Sequence, residues 1–565
     1  MLAILCVSAA LAYIIWTVAC LEANVRKAKA LNVPIVRLPI DSNNVTWILL
    51  QSHVWNVLDK LPIDWASYPR FVRFSRRGWF FAERAKIHEQ IGPVWALVSP
   101  VAINVHFADP DTIRDIVTRR GDFQRPIAEL KLLELYGPCI STAKWEDWPR
   151  HRKVMATPFN ETIMKSVWDE SLRQANGMLR SWVSASAEGI PSYQKDTRAL
   201  SLNVLAATGF GKHYDFRGST EPRIDEVGSY RDSLQTVLDN IILLMLVPFN
   251  ILRMLPKGWA RIGDAGIYFK SHMAKMLEEE TDALHQGKPG SGGIMASFVR
   301  AADIYRHEST AEADLKVTKK GLSREEIFGN LFVINFAGHD TTANTLAFGM
   351  LLLAAHPEVQ AWLAEEIALV TSDIPVETWD YKKLYPRLKR CRATMYEVLR
   401  LYPPVPALPS IACNHAQMIK IGTQTLTIPE GVNLTVNLRA MQVHPAYWTN
   451  ADQWLPSRWI STPAPTTPAT ASQLADEELI TPSKNIFFPW GEGPQICPGK
   501  KFAEVQAVAV LACLFKTHRL AVKKQAGENE REAIKRAIDC CNDVDLEMLV
   551  RLRDADRVTL VCSEA

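Results

Sequence analysis

The first twenty residues of the chain contain no charged side chain, and this run constrains the fold more than any other feature. A helix of about 20 residues is ~30 Å long, which matches the hydrocarbon core of a bilayer. Arg26, Lys27 and Lys29 follow the run, and no Lys or Arg precedes it. This asymmetry predicts that the rest of the chain lies in the cytosol. A cleaved signal peptide would carry basic residues ahead of its apolar stretch, and a buried core helix rarely lacks charge over such a length. The sequence therefore predicts a single-pass anchor over residues 1–21.

Composition places the remainder among ordinary globular proteins. The chain has 565 residues, of which 48% are hydrophobic and 22% charged, so disordered and collagen-like classes are excluded. A formal net charge of +3 is too close to neutral to favour nucleic acid as the partner. The ten cysteines form no CxxC pair, which argues against a disulfide framework or zinc ribbon and favours a reducing compartment. Length allows two to four domains or one large one.

Helical patterning dominates the body of the chain, and no internal repeat is present. Short runs with β-strand character occur near residues 93–106, 418–438 and 546–562. Residues 461–484 are rich in Thr, Ala and Pro and predict a surface loop. The apolar patch 241–255 is too short and too interrupted to span a membrane. It is compatible either with an ordinary core helix or with a segment that dips into a membrane surface.

One helix is predicted to be unusually long. Ser323 and Glu326 form a capping box pattern, in which the two side chains satisfy each other's backbone N–H groups. An apolar pattern then continues to Ala355, where the following His-Pro ends it, giving about 32 residues or ~48 Å of helix. The middle of this helix reads Ala-Gly-His-Asp-Thr-Thr (337–342). Because these residue types are poor helix formers and both flanks are apolar, a simple solvated face explains them poorly.

Two further constellations follow. Glu397 and Arg400 lie three residues apart on one helix face; alone the pair is uninformative, because surface Glu–Arg pairs are common and weak. Cys497 stands in a Phe-Pro-Trp-Gly-Glu-Gly-Pro-Gln-Ile-Cys-Pro-Gly loop just before a helical run. A thiolate at a helix N-terminus is stabilised by the dipole and by backbone N–H groups, which is what an iron-ligating thiolate needs. A lone cysteine is more often a small buried apolar residue.

Together these segments resemble the cytochrome P-450 family of haem-thiolate monooxygenases. The resemblance rests on Trp148-x-x-x-Arg152, the Ala-Gly-x-Asp-Thr-Thr stretch, Glu-x-x-Arg with a later Pro-x-Arg, and the cysteine loop, in that order. It covers the chain from about residue 60, and the loop is most similar to members from filamentous fungi. It implies a mainly α fold with small β-sheets, namely the α-helical haem domain of the family plus one N-terminal transmembrane helix. The expected division is an anchor (1–21), a linker and membrane-proximal segment (22–60) and one catalytic domain (61–565).

The resemblance also implies roles for particular residues around haem b (iron protoporphyrin IX). Cys497 would be the axial ligand of the iron, and Gly493 and Gly499 would let the loop backbone approach the porphyrin. Asp340 and Thr341 would pass protons toward O2 so that one oxygen atom leaves as water. The residues that leave room above the iron would be Ala337 and Gly338. Glu397, Arg400 and Arg458 would form a structural charge network, and Trp148 and Arg152 would bind a haem propionate.

Two of the departures from the family pattern concern cations that would pair with haem propionates; a third is Trp490, where most members have Phe. Gln495 stands where most members have an arginine that pairs with a propionate, and residues 406–413 contain no arginine, although many members have one there. These departures predict that haem is held by fewer charge-assisted bonds than usual, with Gln495 donating a neutral hydrogen bond.

The predicted activity is that of an oxidoreductase that inserts one atom of O2 into a lipophilic small molecule, in the endoplasmic reticulum membrane and in fungal secondary metabolism. Because no dinucleotide fingerprint or flavin domain is present, electrons from NADPH must arrive through a separate diflavin reductase, with cytochrome b5 as a second candidate donor. The basic residues expected to dock that partner are Arg150, Arg152, Lys153, Lys389, Arg390, Lys500 and Lys501. Two alternatives stay open: a haem-thiolate isomerase or dehydratase that needs no O2, and a non-catalytic haem-binding membrane protein. Both have less need of the Asp-Thr pair.

Overall fold

The computed structural model describes residues 2–41, 44–185, 188–218, 228–288, 293–311, 320–372, 374–412, 415–461, 476–480, 486–546 and 549–565. Most of the predicted loop over 461–484 therefore lies outside the described residues. The fold class is confirmed, since helices dominate and the sheets are small.

The helices account for most of the chain. Their bounds are α1 Leu2–Ala28, α2 Val45–Leu58, α3 Arg70–Arg73, α4 Trp79–Glu83, α5 Lys86–Ile91, α6 Pro110–Thr118, α7 Ile127–Leu130, α8 Trp148–Ala156, α9 Glu161–Ser184, α10 Tyr193–Phe210, α11 Tyr230–Asp239, α12 Ile241–Leu246, α13 Phe249–Arg253, α14 Lys257–His285, α15 Gly293–Ala311, α16 Arg324–Ala355, α17 Pro357–Thr371, α18 Tyr381–Leu384, α19 Lys389–Leu401, α20 Leu438–Gln442, α21 Lys500–Phe515 and α22 Glu530–Asn542.

The strands form one six-stranded sheet, in the order β1-β2-β3-β8-β5-β4, and four two-stranded ribbons. Three runs with β-strand character were predicted, and each contains strands. The strand bounds are β1 Ile35–Arg37, β2 Val94–Val98, β3 Ile103–Phe107, β4 Phe123–Gln124, β5 Leu408–Ala412, β6 Gln417–Ile421, β7 Gln424–Ile428, β8 Asn433–Val436, β9 Ile460–Ser461, β10 Glu478–Leu479, β11 His518–Val522, β12 Val544–Leu546, β13 Val550–Leu552 and β14 Leu560–Glu564.

Helix α16 runs through the centre of the body and has the predicted bounds. Its N-terminus is a complete capping box: the Ser323 hydroxyl accepts from the Glu326 N–H at 3.2 Å, and Glu326 accepts from the Ser323 N–H at 2.8 Å. It ends at Ala355, one residue before the His356 C-cap, and α17 restarts at Pro357. Helices α10, α15, α19 and α21 pack around it, which explains why it is apolar on all sides.

The N-terminal helix is apolar and largely unburied, as the anchor prediction requires. A window within Val7–Leu31 is long and apolar enough to cross a membrane and is only 6% buried. The helix continues past residue 21, and its last turns join the body: Leu21, Val25 and Ala28 pack against Ala96 and Val98 of strand β2.

The apolar patch at 241–255 divides into two short helices, α12 and α13, separated at Pro248. The inner positions of this segment, such as Leu244 and Leu252, are buried. Its outer positions, such as Ile251 and Met254, are exposed. The buried positions agree with a core segment on the inner side, and the exposed apolar positions leave the membrane-surface interpretation as a prediction.

Candidate functional site

Helix α16 loses its burial over one short stretch. Ala337 is exposed, and Phe336, Gly338, Asp340 and Thr341 are half-buried, whereas almost every other residue after Ile327 is buried. Because packed elements surround this helix, the exposed stretch faces space inside the protein. It coincides with the predicted Ala-Gly-x-Asp-Thr-Thr segment.

The Asp340 carboxylate is held by a cation from a neighbouring helix. Its Oδ1 atom accepts from Arg198 Nε at 2.9 Å, and Arg198 Nη1 donates to Asp239 at 2.9 Å. Burial acts to raise the pKa of Asp340, but His339 and Arg198 outweigh it and hold that pKa below its usual value. Thr341 Oγ1 donates to the Ala337 carbonyl at 2.8 Å. The two predicted relay residues are thus adjacent, and each has a fixed partner.

Sequence reasoning gave His339 no role, yet its imidazole touches the relay. The ring is fully buried, its Nδ1 atom donates to the Asn335 carbonyl at 3.0 Å, and Nε2 lies 3.3 Å from Asp340 Oδ1. Burial lowers the pKa of His339, and the carboxylate of Asp340 opposes that fall.

Cys497 lies at the start of α21 with its side chain exposed. Burial among the surrounding atoms is the main cause that raises the pKa of this thiol. The N–H groups of Gly499 and Lys500, together with Arg152, oppose that rise. The loop is closed by a hydrogen bond from the Cys497 N–H to the Trp490 carbonyl at 2.9 Å. This surrounding suits a thiolate ligand.

For two of the predicted glycines, Gly493 and Gly338, the structure shows a neighbour that a side chain would meet. Gly493 has φ +73°, and a Cβ there would lie 2.7 Å from the Val117 carbonyl oxygen, so glycine lets the loop pass helix α6. A Cβ on Gly338 would meet the Leu205 side chain at 3.3 Å, so that glycine serves the contact between α10 and α16. These contacts point toward α6 and α10. They do not show that Gly493 approaches the porphyrin or that Gly338 leaves room above the iron. Gly499 does face the sulfur, since its Cβ would lie 3.7 Å from it.

Arg152 and Arg125 lie near the thiol, and Arg120 lies near Arg125; none of the three has an acidic partner among the described residues. Arg152 donates to the Ile496 carbonyl at 2.7 Å, Arg125 to a carbonyl at 3.4 Å, and Arg120 to the Ser410 hydroxyl at 3.2 Å. Burial is the main cause that lowers the pKa of all three, to about 10 for Arg120 and Arg125. The contact with Ser410 puts Arg120 beside the segment 406–413, where the sequence lacks an arginine. Arg120 and Arg125 thus bring cations from another part of the chain, and the prediction that haem is held by fewer charge-assisted bonds than usual stays a prediction.

Two buried polar atoms beside these cations also lack partners, namely Trp148 Nε1 and Gln495 Oε1. A flat dianionic ligand carrying a metal would suit the cysteine, the arginines and the Trp148 indole N–H, since a thiolate would bind the metal and the N–H donors would bind the carboxylates; the Gln495 oxygen, an acceptor, would need a different partner. Haem is such a ligand, and these residues fit it. Sequence reasoning did not single out Arg120 and Arg125, because the Asp-Phe-Gln-Arg-Pro segment carried no signal of its own.

The predicted charge network is complete. Glu397 and Arg400 are both fully buried and form two hydrogen bonds, of 2.8 and 2.9 Å, and Arg458 Nε donates to Glu397 at 3.0 Å. Trp459 Nε1 donates to the same carboxylate at 2.9 Å, and Arg400 also donates to the carbonyls of Gln442, Ala451 and Gln453. The network joins α19 to the segment that precedes the cysteine loop.

Most of the basic residues assigned to partner docking have internal roles instead. Arg390 is buried and pairs with Glu365 and Glu477, and Arg150 pairs with Glu326. Lys389 donates to the Glu477 carbonyl, and Arg152 points toward the cysteine. Of the predicted set, Lys153 and Lys500 are exposed, and Lys501 is half-buried. Charge counts along a sequence do not distinguish paired arginines from free ones.

The fold and the site thus define a helical protein built to hold haem through a cysteine thiolate. A model of the family described as Cytochrome P450 matches residues 70–536, and the chain belongs to that family, whose cofactor is haem b.

Curated relatives and a solved structure agree with this placement. The chain is 27% identical to a cytochrome P450 monooxygenase of Arthrobotrys oligospora, over 96% of this chain and 95% of the relative. It is 26% identical to a cytochrome P450 monooxygenase of Penicillium roqueforti, over 94% and 92%. It is also 27% identical to a cytochrome P450 monooxygenase of the phomenoic acid biosynthesis cluster in Leptosphaeria maculans, over 91% and 90%. The crystal structure of a cytochrome P450 (CYP102L1) has the same fold, with a TM-score of 0.63, 16% identity and coverage of 86% of this chain and 97% of that one.

Proposed function

We propose that this chain is a membrane-anchored monooxygenase that inserts one oxygen atom of O2 into a lipophilic small molecule of fungal secondary metabolism. The observation that carries the proposal is the Cys497 thiol at the start of α21, with Arg152 and Arg125, two arginines without acidic partners among the described residues, close to it. Relatives that are named as cytochrome P450 monooxygenases, one of them in a biosynthesis cluster, support the reaction class. The intact Asp340–Thr341 pair favours oxygen chemistry over an isomerase or dehydratase and over a non-catalytic haem binder.

In this mechanism the side chains bind the cofactor and move protons. When bound, haem supplies the chemistry that divides O2 between product and water. Cys497 ligates its metal, while Arg125, Arg152 and the Trp148 indole N–H hold its carboxylates. Asp340 takes a proton from solvent and passes it to the Thr341 hydroxyl, which must leave the Ala337 carbonyl to hand its own proton on. Because Arg198 holds Asp340, that transfer requires the carboxylate to loosen from the guanidinium.

The same proposal covers the membrane and the electron donor. Residues 1–21 would cross the endoplasmic reticulum membrane, residues 22–60 would lie close to it, and 61–565 would form the cytosolic catalytic domain. The outer face of α12 and α13, with exposed Leu246, Ile251, Met254 and Leu255, would rest on the lipid surface. A separate NADPH-dependent diflavin reductase, or cytochrome b5, would dock at Lys153 and Lys500. The rate at which this partner delivers electrons should then fall as the ionic strength rises.

The first experiment is the difference spectrum of the dithionite-reduced, carbon-monoxide-bound protein. The expected result is the strongly red-shifted Soret band of thiolate-ligated haem, absent in Cys497→Ala and Cys497→His but kept in Cys513→Ala, a buried cysteine on helix α21, which follows the Cys497 loop. A band typical of histidine-ligated haem in the wild-type protein would overturn the proposal. Substrate-dependent consumption of NADPH and O2 then distinguishes a monooxygenase from the two alternatives.

A further inference from the structure

His339 is a fully buried imidazole beside the Asp340 carboxylate, and the proposed mechanism does not use it. Its Nδ1 atom lies 3.0 Å from the Asn335 carbonyl oxygen. A carbonyl oxygen can only accept, so this contact is a hydrogen bond only when Nδ1 carries a proton. The other nitrogen, Nε2, lies 3.3 Å from Asp340 Oδ1 and has no hydrogen-bond partner among the described residues. Nε2 is therefore the ring atom at which a proton can be gained or lost.

The gap between Nε2 and Oδ1 has room for one proton. When neither atom is protonated, a ring lone pair faces a carboxylate oxygen and no hydrogen bond joins them. With one proton added, either the carboxyl group donates to Nε2 or the imidazolium donates to the carboxylate. Both arrangements keep the contact between Nδ1 and Asn335. Since an N–H···O bond spans about 2.7–3.2 Å, a small movement of either side chain closes the gap.

Charged groups on three other elements face this pair. Arg198 of α10 donates to the same Oδ1 atom and to Asp239 of α11, both at 2.9 Å, and Arg551 of β13 also lowers the pKa of Asp340. Burial is the main cause that lowers the pKa of His339, and the Asp340 carboxylate is the main group that raises it. Arg198 adds to the lowering, and Asp239 opposes it. The ring and the carboxylate therefore influence each other's proton affinity.

Asp340 is the member of the pair that solvent reaches first. Its side chain is 14% exposed and lines a cavity of about 760 Å³, whereas the imidazole has no exposed surface. A proton that comes from solvent therefore arrives at the carboxylate before it arrives at the ring. The arrangement has an outer proton site on Asp340 and an inner one on His339.

We propose that His339 stores one proton for the relay and exchanges it with Asp340. A monooxygenase consumes two protons for each O2, because one oxygen atom leaves as water, and the inference rests on that proposed function. The first proton from solvent moves from Asp340 to Nε2: its O–H bond breaks as the N–H bond forms. Asp340 then takes up a second proton and passes it toward Thr341, after which the imidazolium returns the stored proton to the carboxylate. Two protons enter and two leave, and no electrons move. His339 acts through Asp340 and is thus a positioning residue.

The first test reads the protonation of the ring by nuclear magnetic resonance. The full-length, haem-loaded protein is labelled with 15N-histidine, reduced and bound to carbon monoxide, which makes the iron diamagnetic. The His339 resonances, assigned by their loss in His339→Gln, are followed between about pH 5 and pH 8. Nδ1 should carry a proton throughout, and Nε2 should gain one as the pH falls. In Asp340→Asn, Nε2 should gain its proton at a lower pH, because the carboxylate that favours the imidazolium is gone.

His356 is the matched control in the same spectra. It ends the same helix, and its Nδ1 atom lies 2.8 Å from the Leu352 carbonyl, again four residues back. No ion pair joins it to a carboxylate in the parts of the chain that the structure describes. Its resonances, assigned by their loss in His356→Gln, should not respond to Asp340→Asn.

The second test separates a stored proton from a merely oriented carboxylate. O2 consumption is driven by NADPH and a fungal diflavin reductase, without an added organic substrate, in variants that give the wild-type carbon-monoxide spectrum. Glutamine can hydrogen-bond to Asp340 but cannot take up a proton, and phenylalanine can do neither. His339→Gln and His339→Phe should therefore slow O2 consumption equally, by about tenfold, which is less than the ~10²–10⁴-fold that a complete general acid contributes. His356→Gln should match the wild type.

Three results would overturn the proposal. They are an Nε2 titration that is unchanged in Asp340→Asn, an Nδ1 atom without a proton at neutral pH, and wild-type O2 consumption in His339→Gln. Loss of the red-shifted Soret band in the wild type, or the absence of O2 consumption there, would instead remove the proposed function. The two failures are distinguishable, since the titration of the ring requires no turnover.

Discussion

Arg125 should have opposite effects on the protein with and without its cofactor. Burial and the neighbouring Arg152 lower the pKa of Arg125 to about 10, which corresponds to roughly 3 kcal/mol at ~1.4 kcal/mol per pH unit. This cost falls on the haem-free protein, in which the guanidinium has no acidic partner. A hydrogen bond between a charged arginine and a carboxylate contributes about 1.5–3 kcal/mol. Arg125→Met should therefore raise the free energy of unfolding of the haem-free protein by up to ~3 kcal/mol and speed haem loss about ten- to hundredfold.

Both effects can be measured on one preparation. Haem loss is followed by transfer to excess apomyoglobin, and stability of the haem-free protein by thermal denaturation. Arg119→Met is the matched control, because Arg119 lies on the same segment but pairs with Asp115 and Asp122. It should leave haem transfer unchanged. If Arg125→Met retains haem as firmly as the wild type, the assignment of this side chain to a haem carboxylate is refuted.

Three further predictions concern the fold that supports the site. Glu397→Gln should prevent haem incorporation in expressed protein, because it leaves two arginines beside an uncharged group at a cost of about 3–5 kcal/mol; normal haem content would contradict this. Burial lowers the pKa of His88 to about 4 and of His106 to about 3. As the pH falls, the unfolded chain therefore takes up protons on these imidazoles before the folded protein does, and the free energy of unfolding should decrease below about pH 6.5. Equal denaturation midpoints at about pH 7 and pH 5 would count against it, and His106→Phe should weaken the dependence. Gly493→Ala should lower thermal stability and haem content together, whereas Gly491→Ala, with open space around its Cβ, should affect stability less.

The sequence was sufficient wherever a contact is local. The capping box of Ser323 and Glu326 fixed both the start and the register of α16, and the bounds of that helix were predicted to the residue. The cysteine loop and the Glu397–Arg400 pair were also predictable, because their spacing along one helix or one turn is part of the motif. These features need no knowledge of which elements meet in space.

The contacts that sequence reasoning missed join distant segments. Arg120 donates to Ser410 of strand β5, so a cation from one segment lies beside residues 406–413, which have no arginine. Arg390, one of the predicted docking residues, is buried and pairs with Glu477 from a remote loop. A Cβ on Gly493 would meet the backbone of Val117, a contact that the cysteine motif does not reveal. Each of these contacts depends on which distant segments meet in the folded protein, and the spacing of residues along the chain does not contain that information.

The packing of helix α1 against strand β2 affects how the protein can sit on a membrane. A flexible linker would let the catalytic domain rotate relative to the N-terminal helix. Here Leu21, Val25 and Ala28 pack among residues of the sheet, so the C-terminal end of the helix and the body are coupled. With the helix crossing a bilayer as proposed, its tilt would set the orientation of the whole molecule. Inserting glycines ahead of Leu21 would uncouple the apolar part of the helix from the body.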